Sequence, residues 1–473
     1  MNVLLVLALL LAAGFAEAAA WPTFGFDAAR SGTSSGEHRL SGVNVARLHE
    51  RWQIDLGAVA DSAPIVAANV LTPHGRGAML YLTTSDGVTL AVDPRSGRVV
   101  WRFDTHGPKI TTSVPVIGPA GRTLYVPGVD GFVHALDAAN GREQRARGFP
   151  VRITTMPETE KNASALNLAG GYLYAVTSGY YGDAPPYDGH LVAVRLRDGA
   201  TNVFNSLCSN ERTLPTATSC PSQLSGIWAR AGAVVDPDPA MHGRVYVATG
   251  NGNFDANRAG HDYGDSLLAL SADGAHLLGS YTPRDYAALE AGDTDLGSTT
   301  PALLPRQAHS RTPLLAVQGG KDGILRLLDR AHLPGVGGEL QELDLGTALF
   351  STPAVWSDAH GVAWVFLGLP SELRAFRLVR SAGGDEGLVQ AWSAPLAGST
   401  REGTSPVVAG GLVFTATSGA LQAFDAESGR ERWSSANPGA GRSIGTVHWQ
   451  SPVVADGWLY CADGEGRLTA YSL

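Results

Sequence analysis

One short phrase recurs along most of this 473-residue chain: small, mostly polar residues, then proline, then an apolar residue. It stands as Ser62-Ala63-Pro64-Ile65, Ser113-Val114-Pro115-Val116, Thr299-Thr300-Pro301-Ala302, Ser351-Thr352-Pro353-Ala354, Thr404-Ser405-Pro406-Val407 and Gln450-Ser451-Pro452-Val453. Each copy leads into a Gly-rich turn, a β-branched or aromatic run, a second turn and another run, a repeat of roughly 50 residues. Short strands repeating at that spacing build a β-propeller or a solenoid. A propeller gathers side chains from distant parts of the chain around one axis, so the distinction decides where a site can lie.

Inner strands are expected to begin near Ser62, Ser113, Ala163, Ala231, Ser298, Ser351, Thr404 and Ser451, which makes eight blades. The middle strands alternate or run apolar between turn residues, as in Leu412 to Ala416 and Trp458 to Ala462. The last blade stops at Leu473 after its third strand, and Leu48 to Ile54 can supply the fourth. Pairing that N-terminal strand with the last blade closes a ring and removes the edges that invite aggregation. The expected fold is therefore all-β: an eight-bladed β-propeller in a single domain over residues 21–473. With 58 glycines, 27 prolines and only 17% charged residues, the composition suits tight turns between buried strands and argues against disorder. Blades three to five are stretched by insertions such as Gly179 to Gly189, Asn202 to Gly226 and Asn251 to Asp265. Insertions in one sector of a repeat fold usually share a face, often the functional one.

Residues 1–20 read as a secretory signal, with an apolar run from Val3 to Ala13 and small-residue cleavage patterns ending at Ala18 or Ala20. The run is shorter than the ~20 residues needed to span a bilayer, and no later stretch could span one. The expectation is a periplasmic or secreted protein. A net charge of −9 without a basic cluster argues against a nucleic-acid partner. Three cysteines fit an oxidising compartment. Cys208 and Cys220 flank a polar loop and are expected to form a disulfide, while Cys461 reads as a core thiol.

The pattern Ala-x-Asp-x-x-Ser-Gly-x-x-x-Trp occurs at Ala91 to Trp101 and again at Ala423 to Trp433. It resembles the repeat of the pyrroloquinoline quinone (PQQ) dehydrogenase propellers, the quinoprotein alcohol dehydrogenases. Trp21-Pro22-Thr23-Phe24-Gly25 is similar to the opening of their mature chains. Trp228, followed by Tyr246 to Gly252, resembles the segment supplying a tryptophan floor beneath the quinone and an asparagine ligand for calcium, here Asn251. Asp295-Leu296-Gly297 resembles the segment carrying the catalytic aspartate, and Gly320 to Arg330 the one whose Lys or Arg contacts the quinone oxygens, here Lys321. The resemblance thus implies PQQ and calcium as cofactors and oxidation of an alcohol or other hydroxyl substrate. It implies electron transfer to an external acceptor, because no Cys-x-x-Cys-His haem site is present.

Two features depart from that family. Its third-blade calcium glutamate has no counterpart in Ser178 to Asp188, where only Asp183 or Asp188 could substitute, and the vicinal cysteine pair is absent. The alternative is a non-catalytic propeller of the same repeat type, a scaffold that binds a protein or polymer on its loop-rich face, as a monomer or homodimer. Each candidate also has a plain structural use: Trp228 in packing, Asn251 and Asp295 in turns, Lys321 in a hairpin loop. His261, Asp262 and Asp265 form a polar group in an insertion and read as a solvated loop. His448 opens the last inner strand and could face the channel, and Arg401-Glu402 reads as a rim ion pair.

Overall fold

The computed structural model describes residues 20–72, 75–107, 110–181 and 183–473. The expected signal segment, apart from Ala20, lies outside the described residues. The strands group into eight sheets, each an up-and-down series that ends near where the next begins. The inner strands of blades 1 to 8 are Ile65–Thr72, Val116–Ile117, Asn167–Ala169, Val234–Val235, Ala302–Leu303, Ala354–Ser357, Val407–Ala409 and Val453–Ala455. The ring closes as expected: His49–Asp55 pairs antiparallel with Arg467–Ser472, so the eighth sheet joins both ends of the chain.

The inner ladders begin a few residues later than the sequence suggests, and the recurring phrase explains why. Proline has no N–H to give a ladder, and the Ser and Thr hydroxyls of the phrase reach sideways to the next blade instead. Thr112 Oγ1 donates to the Ala163 carbonyl at 3.0 Å, Thr299 Oγ1 to the Ser351 carbonyl at 2.7 Å, and Ser405 Oγ receives the Thr352 N–H at 2.9 Å. These residues are buried, so the hydroxyls satisfy backbone carbonyls and N–H groups that the converging strands would otherwise leave without partners.

The glycine–tryptophan motif is a second blade-to-blade device. Trp101 is buried and its Nε1 donates to the Ala138 carbonyl of the next blade at 3.0 Å. Trp52, Trp392 and Trp433 make the equivalent bonds to Pro94, Ala426 and Leu48. The indole lies against the turn glycine of the neighbour: a Cβ on Gly141 would come within 2.6 Å of Trp101, and one on Gly429 within 2.6 Å of Trp392. Those glycines have φ of 71° and 69°, a region that costs other residues free energy.

The N-terminal segment, residues 21–34, seals one end of the axis. Trp21 exchanges backbone bonds with Val66, Ala28 O receives Val235 N–H, and Ser31 O receives Val355 N–H. Thr33–Ser34 then adds a short parallel strand to blade 7 beside Val408–Ala409. Arg30 is buried beneath this segment and donates to Thr23 Oγ1 and the Phe24 carbonyl, both at 2.6 Å, and to the Leu166 carbonyl at 2.9 Å. Among the described residues, no helix is long and apolar enough to cross a membrane.

Candidate functional site at the open mouth of the axis

Inner and middle strands are antiparallel. The loops leading into inner strands and the turns leaving middle strands therefore share one end of the axis, opposite the N-terminal seal. Trp228 and Asp295 lie in loops leading into blades 4 and 5, and Asn251 and Lys321 in the turns leaving Val245–Ala248 and Leu315–Gln318. The structure brings these four residues together. Asp295 is 6% exposed; its Oδ1 receives the Asn251 N–H at 2.7 Å and its Oδ2 pairs with Lys321 Nζ. Lys321 Nζ also lies 3.3 Å from Asp293 Oδ1 and 5.5 Å from the centre of the Trp228 ring. Gly250 makes the convergence possible, since a Cβ there would lie 2.2 Å from Asp295 Oδ1 and 3.1 Å from Trp228 Nε1.

Burial pushes the Asp295 carboxyl above its usual range, against the pull of Lys321 and the Asn251 N–H. Burial works against the Lys321 charge, but Asp295 and Asp293 outweigh it and hold its pKa above the usual value. Behind this pair Asp265 is buried with φ of 46° and receives the Leu296 N–H at 3.0 Å, fixing the loop that carries Asp295. Burial first, and then Asp295 and Glu290, push Asp265 up to about 8. The Asn251 side-chain oxygen is buried without a hydrogen-bond partner.

The opposite wall is aromatic and charged. Phe350 and Trp449 each lie 6.1 Å from Trp228, ring centre to ring centre. The Arg230 guanidinium stacks 3.7 Å over the Trp449 ring, and Lys161 Nζ sits 5.6 Å over Tyr180. His448 does face this mouth: its Nδ1 is 2.7 Å from Asp61 Oδ2 and its Nε2 3.6 Å from Glu402 Oε2. Arg401 is an exposed rim residue 3.2 Å from Glu402, but Glu402 itself is buried beneath His448. Lys161, Arg230 and Asp61 carry no motif in the sequence. Lys161 lies in the strand Glu160–Asn162, whose alternation buries Glu160 and Asn162 and turns Lys161 to the other side.

The two third-blade aspartates part company. Asp183 is exposed and receives the Tyr187 hydroxyl at 2.9 Å. Burial chiefly raises the Tyr187 phenol, and Asp183, its hydrogen-bond partner, adds to the shift. Asp188 is buried in a separate group with Glu160 and His190: its N–H donates to Glu160 Oε2 at 2.9 Å, and Glu160 Oε1 is 3.8 Å from His190 Nδ1. Burial, with Glu160 and Asp262 adding repulsion, pushes Asp188 up to about 7.

Cys208 and Cys220 are joined by a disulfide. Asp262 ties the bridged loop to the blade-4 insertion, receiving the Cys208 N–H at 2.7 Å and the Ser222 hydroxyl at 2.9 Å. Asp262 and Asp265 therefore serve separate loops rather than one ligand set with His261.

A family described as outer membrane protein assembly factor BamB matches residues 16–218 and 385–473. The chain belongs to this PQQ-type propeller family. A quinohemoprotein alcohol dehydrogenase from Comamonas testosteroni is 28% identical over 340 residues, covering 66% of this chain and 45% of that protein. The chain thus spans less than half the length of that relative. The solved structure of quinohemoprotein alcohol dehydrogenase ADHIIG from Pseudomonas putida superposes with a TM-score of 0.68 at 16% identity, over 96% of this chain and 80% of that one. BamB from Moraxella catarrhalis gives a TM-score of 0.53 at 13% identity, over 90% and 98%. The two likenesses to solved structures concern the fold. Together these matches make the chain a quinoprotein-like propeller.

Proposed function

We propose that this chain is an exported dehydrogenase, periplasmic or secreted, that oxidises an alcohol or other hydroxyl substrate with PQQ and calcium. The observation that carries the reading is the convergence of Trp228, Asn251, Asp295 and Lys321 from blades 4 and 5 at one mouth. The residues fit the two groups. A planar cofactor is held by an aromatic face, which Trp228 offers between Phe350 and Trp449. Calcium takes several hard oxygen ligands; Asn251 has a buried side-chain oxygen without a partner, and Asp183 and Asp188 are the third-blade carboxylates offered to complete the set. Asp188 likewise keeps a buried carboxylate oxygen without a partner, since its bond to Glu160 is made by its backbone N–H.

When bound, PQQ supplies the two-electron acceptor and calcium the Lewis acid. The chain's own residues orient the substrate and move the proton. Asp295 takes the hydroxyl proton at Oδ2, the oxygen that Lys321 occupies here. Its raised pKa makes it a better base than an exposed aspartate. Lys321, 5.5 Å from the centre of the Trp228 ring, would hold the quinone oxygens and stabilise negative charge there. An external acceptor would take the electrons.

Purified protein mixed with PQQ and calcium should reduce an artificial electron acceptor with one or more of a panel of alcohols. Asp295→Asn should lower turnover by a factor of about 10²–10⁴ while cofactor binding persists, since general-base catalysis contributes that range. Retained turnover would reject the base assignment, and failure of both binding and dye reduction would reject the enzyme. A second reading, a scaffold without a cofactor, is favoured by the missing third-blade glutamate and by the Lys321–Asp295 ion pair. That pair neutralises the site without any ligand.

A further inference from the structure

The segment from Ser206 to Gly226, which links blades 3 and 4, is stapled by the Cys208–Cys220 disulfide. Its downstream end holds the Asn251 turn through the backbone. Ser225 N–H donates to the Asn251 carbonyl at 2.6 Å, and Gly250 N–H donates to the Gly226 carbonyl at 2.8 Å. The contact is close-packed, since a Cβ on Gly252 would lie 2.7 Å from Ser225 Cβ. Its upstream end reaches the same turn through Asp262, which is 7% exposed. That carboxylate receives Cys208 N–H at 2.7 Å, the Ser222 hydroxyl at 2.9 Å and Asn253 Nδ2 at 2.7 Å.

The backbone of this segment is strained at both ends. Cys208, Leu224 and Ser225 have φ of 47°, 88° and 50°, a region that costs residues with a Cβ free energy. Such conformations persist only where the surroundings over-determine them, and they cluster at switches. Here one strained residue is half of the staple and another makes the bond to Asn251. Cys208 is half-buried beside the exposed residues 210–213, whereas Cys220 is buried, so a reductant reaches the bond from the Cys208 side.

We propose that the Cys208–Cys220 disulfide is a redox-operated latch on the Asn251 arm of the open mouth, opened by a protein dithiol. One thiolate of the dithiol attacks the Cys208 sulfur, the bond to Cys220 breaks, and Cys220 leaves as a thiolate that takes a proton. The second thiol of the dithiol attacks the mixed disulfide and releases Cys208, which takes the second proton. Two electrons and two protons have then reached the chain, and the reductant ends as a disulfide. With the staple open, Cys208 and Ser225 relax, the Asp262 bonds loosen, and the turn that presents Asn251 to Asp295 gives way. The latch belongs to the fold; its consequence for turnover rests on the dehydrogenase reading.

The test compares amide hydrogen exchange of the full chain, oxidised and after dithiothreitol has freed both thiols, with no cofactor present. Exchange at residues 250–253 should speed by about tenfold on reduction, the effect of losing one or two hydrogen bonds, and reoxidation should reverse it. The ladder Arg467–Ser472 of blade 8 is the control and should not change. Asp262→Ala should speed exchange at residues 250–253 with the disulfide intact, because it cuts the upstream connection. If that variant fails to fold, replacing Cys208 and Cys220 together with serine should reproduce the reduced pattern without reductant. Calcium alone, titrated by calorimetry, separates this inference from the enzyme reading. Tighter binding to the oxidised chain supports both, and no binding to either form, with the exchange difference intact, sinks the metal reading and leaves the latch. A disulfide that resists dithiothreitol, unchanged exchange at residues 250–253 on reduction, or equal loosening of the blade 8 ladder would overturn the proposal.

Discussion

Each end of the propeller axis holds one buried arginine, and the two are treated differently. Arg30, under the N-terminal seal, is surrounded by short bonds to a hydroxyl and carbonyls, and burial pushes its pKa down to about 9. Arg230, at the open end, has longer carbonyl contacts and an aromatic face, and burial pushes it down to about 10 against the pull of Asp61 and Glu402. The same residue type clamps the sealed mouth through hydrogen bonds and lines the open one against an aromatic ring. Shorter side-chain bonds, three of 2.6 to 2.9 Å at Arg30 against 3.1 to 3.5 Å at Arg230, separate the two.

The largest effect should come from breaking the sealed end. Arg30→Met strands several carbonyls and should cost about 4 kcal/mol in urea denaturation, whereas Arg230→Met should cost about 1 kcal/mol. Equal losses would erase the contrast. Next, replacing Cys208 and Cys220 together with serine should cost about 3 kcal/mol, the loop-closure value for so short a loop, without touching the seal. Proteolysis should then cut first between those positions. The smallest effect sharpens the electrostatics of the open end. Asp265 at about 8 and Asp188 at about 7 are both raised from 3.8. The folded chain therefore binds more protons than the unfolded one across that window, so these groups make stability fall as pH rises from about 4 to 8. Asp265→Asn should flatten that slope in denaturation curves measured at several pH values. An unchanged slope would show that Asp265 is ionised throughout.

The ring was legible because its determinants are local and repeated. The proline phrase, the Gly–Trp motif and the orphan strand at Leu48 to Ile54 each have a physical use that recurs blade after blade. Strand starts were less legible, since Thr299 and Thr352 look like strand residues but spend their bonds across blades. Trp228, Asn251, Asp295 and Lys321 could be named from their resemblance to the quinoprotein segments, but their meeting depends on Gly250, whose importance no local pattern shows. Lys161, Arg230 and Glu160 were invisible for a different reason. Each is a single charge in an ordinary context, and its role comes from neighbours in other blades. The inward turn of residues 21–34 was likewise hidden, because its partners are backbone groups of blades 1, 4, 6 and 7.

The most direct measurement is a crystal structure of the protein grown with PQQ and calcium at saturating concentration. The account expects a flat ring over Trp228, oxygen contacts from Asn251 and a third-blade aspartate, Asp183 or Asp188, to a cation, and Lys321 released from Asp295. An open mouth with the Lys321–Asp295 pair intact, or PQQ bound elsewhere on the ring, would contradict it.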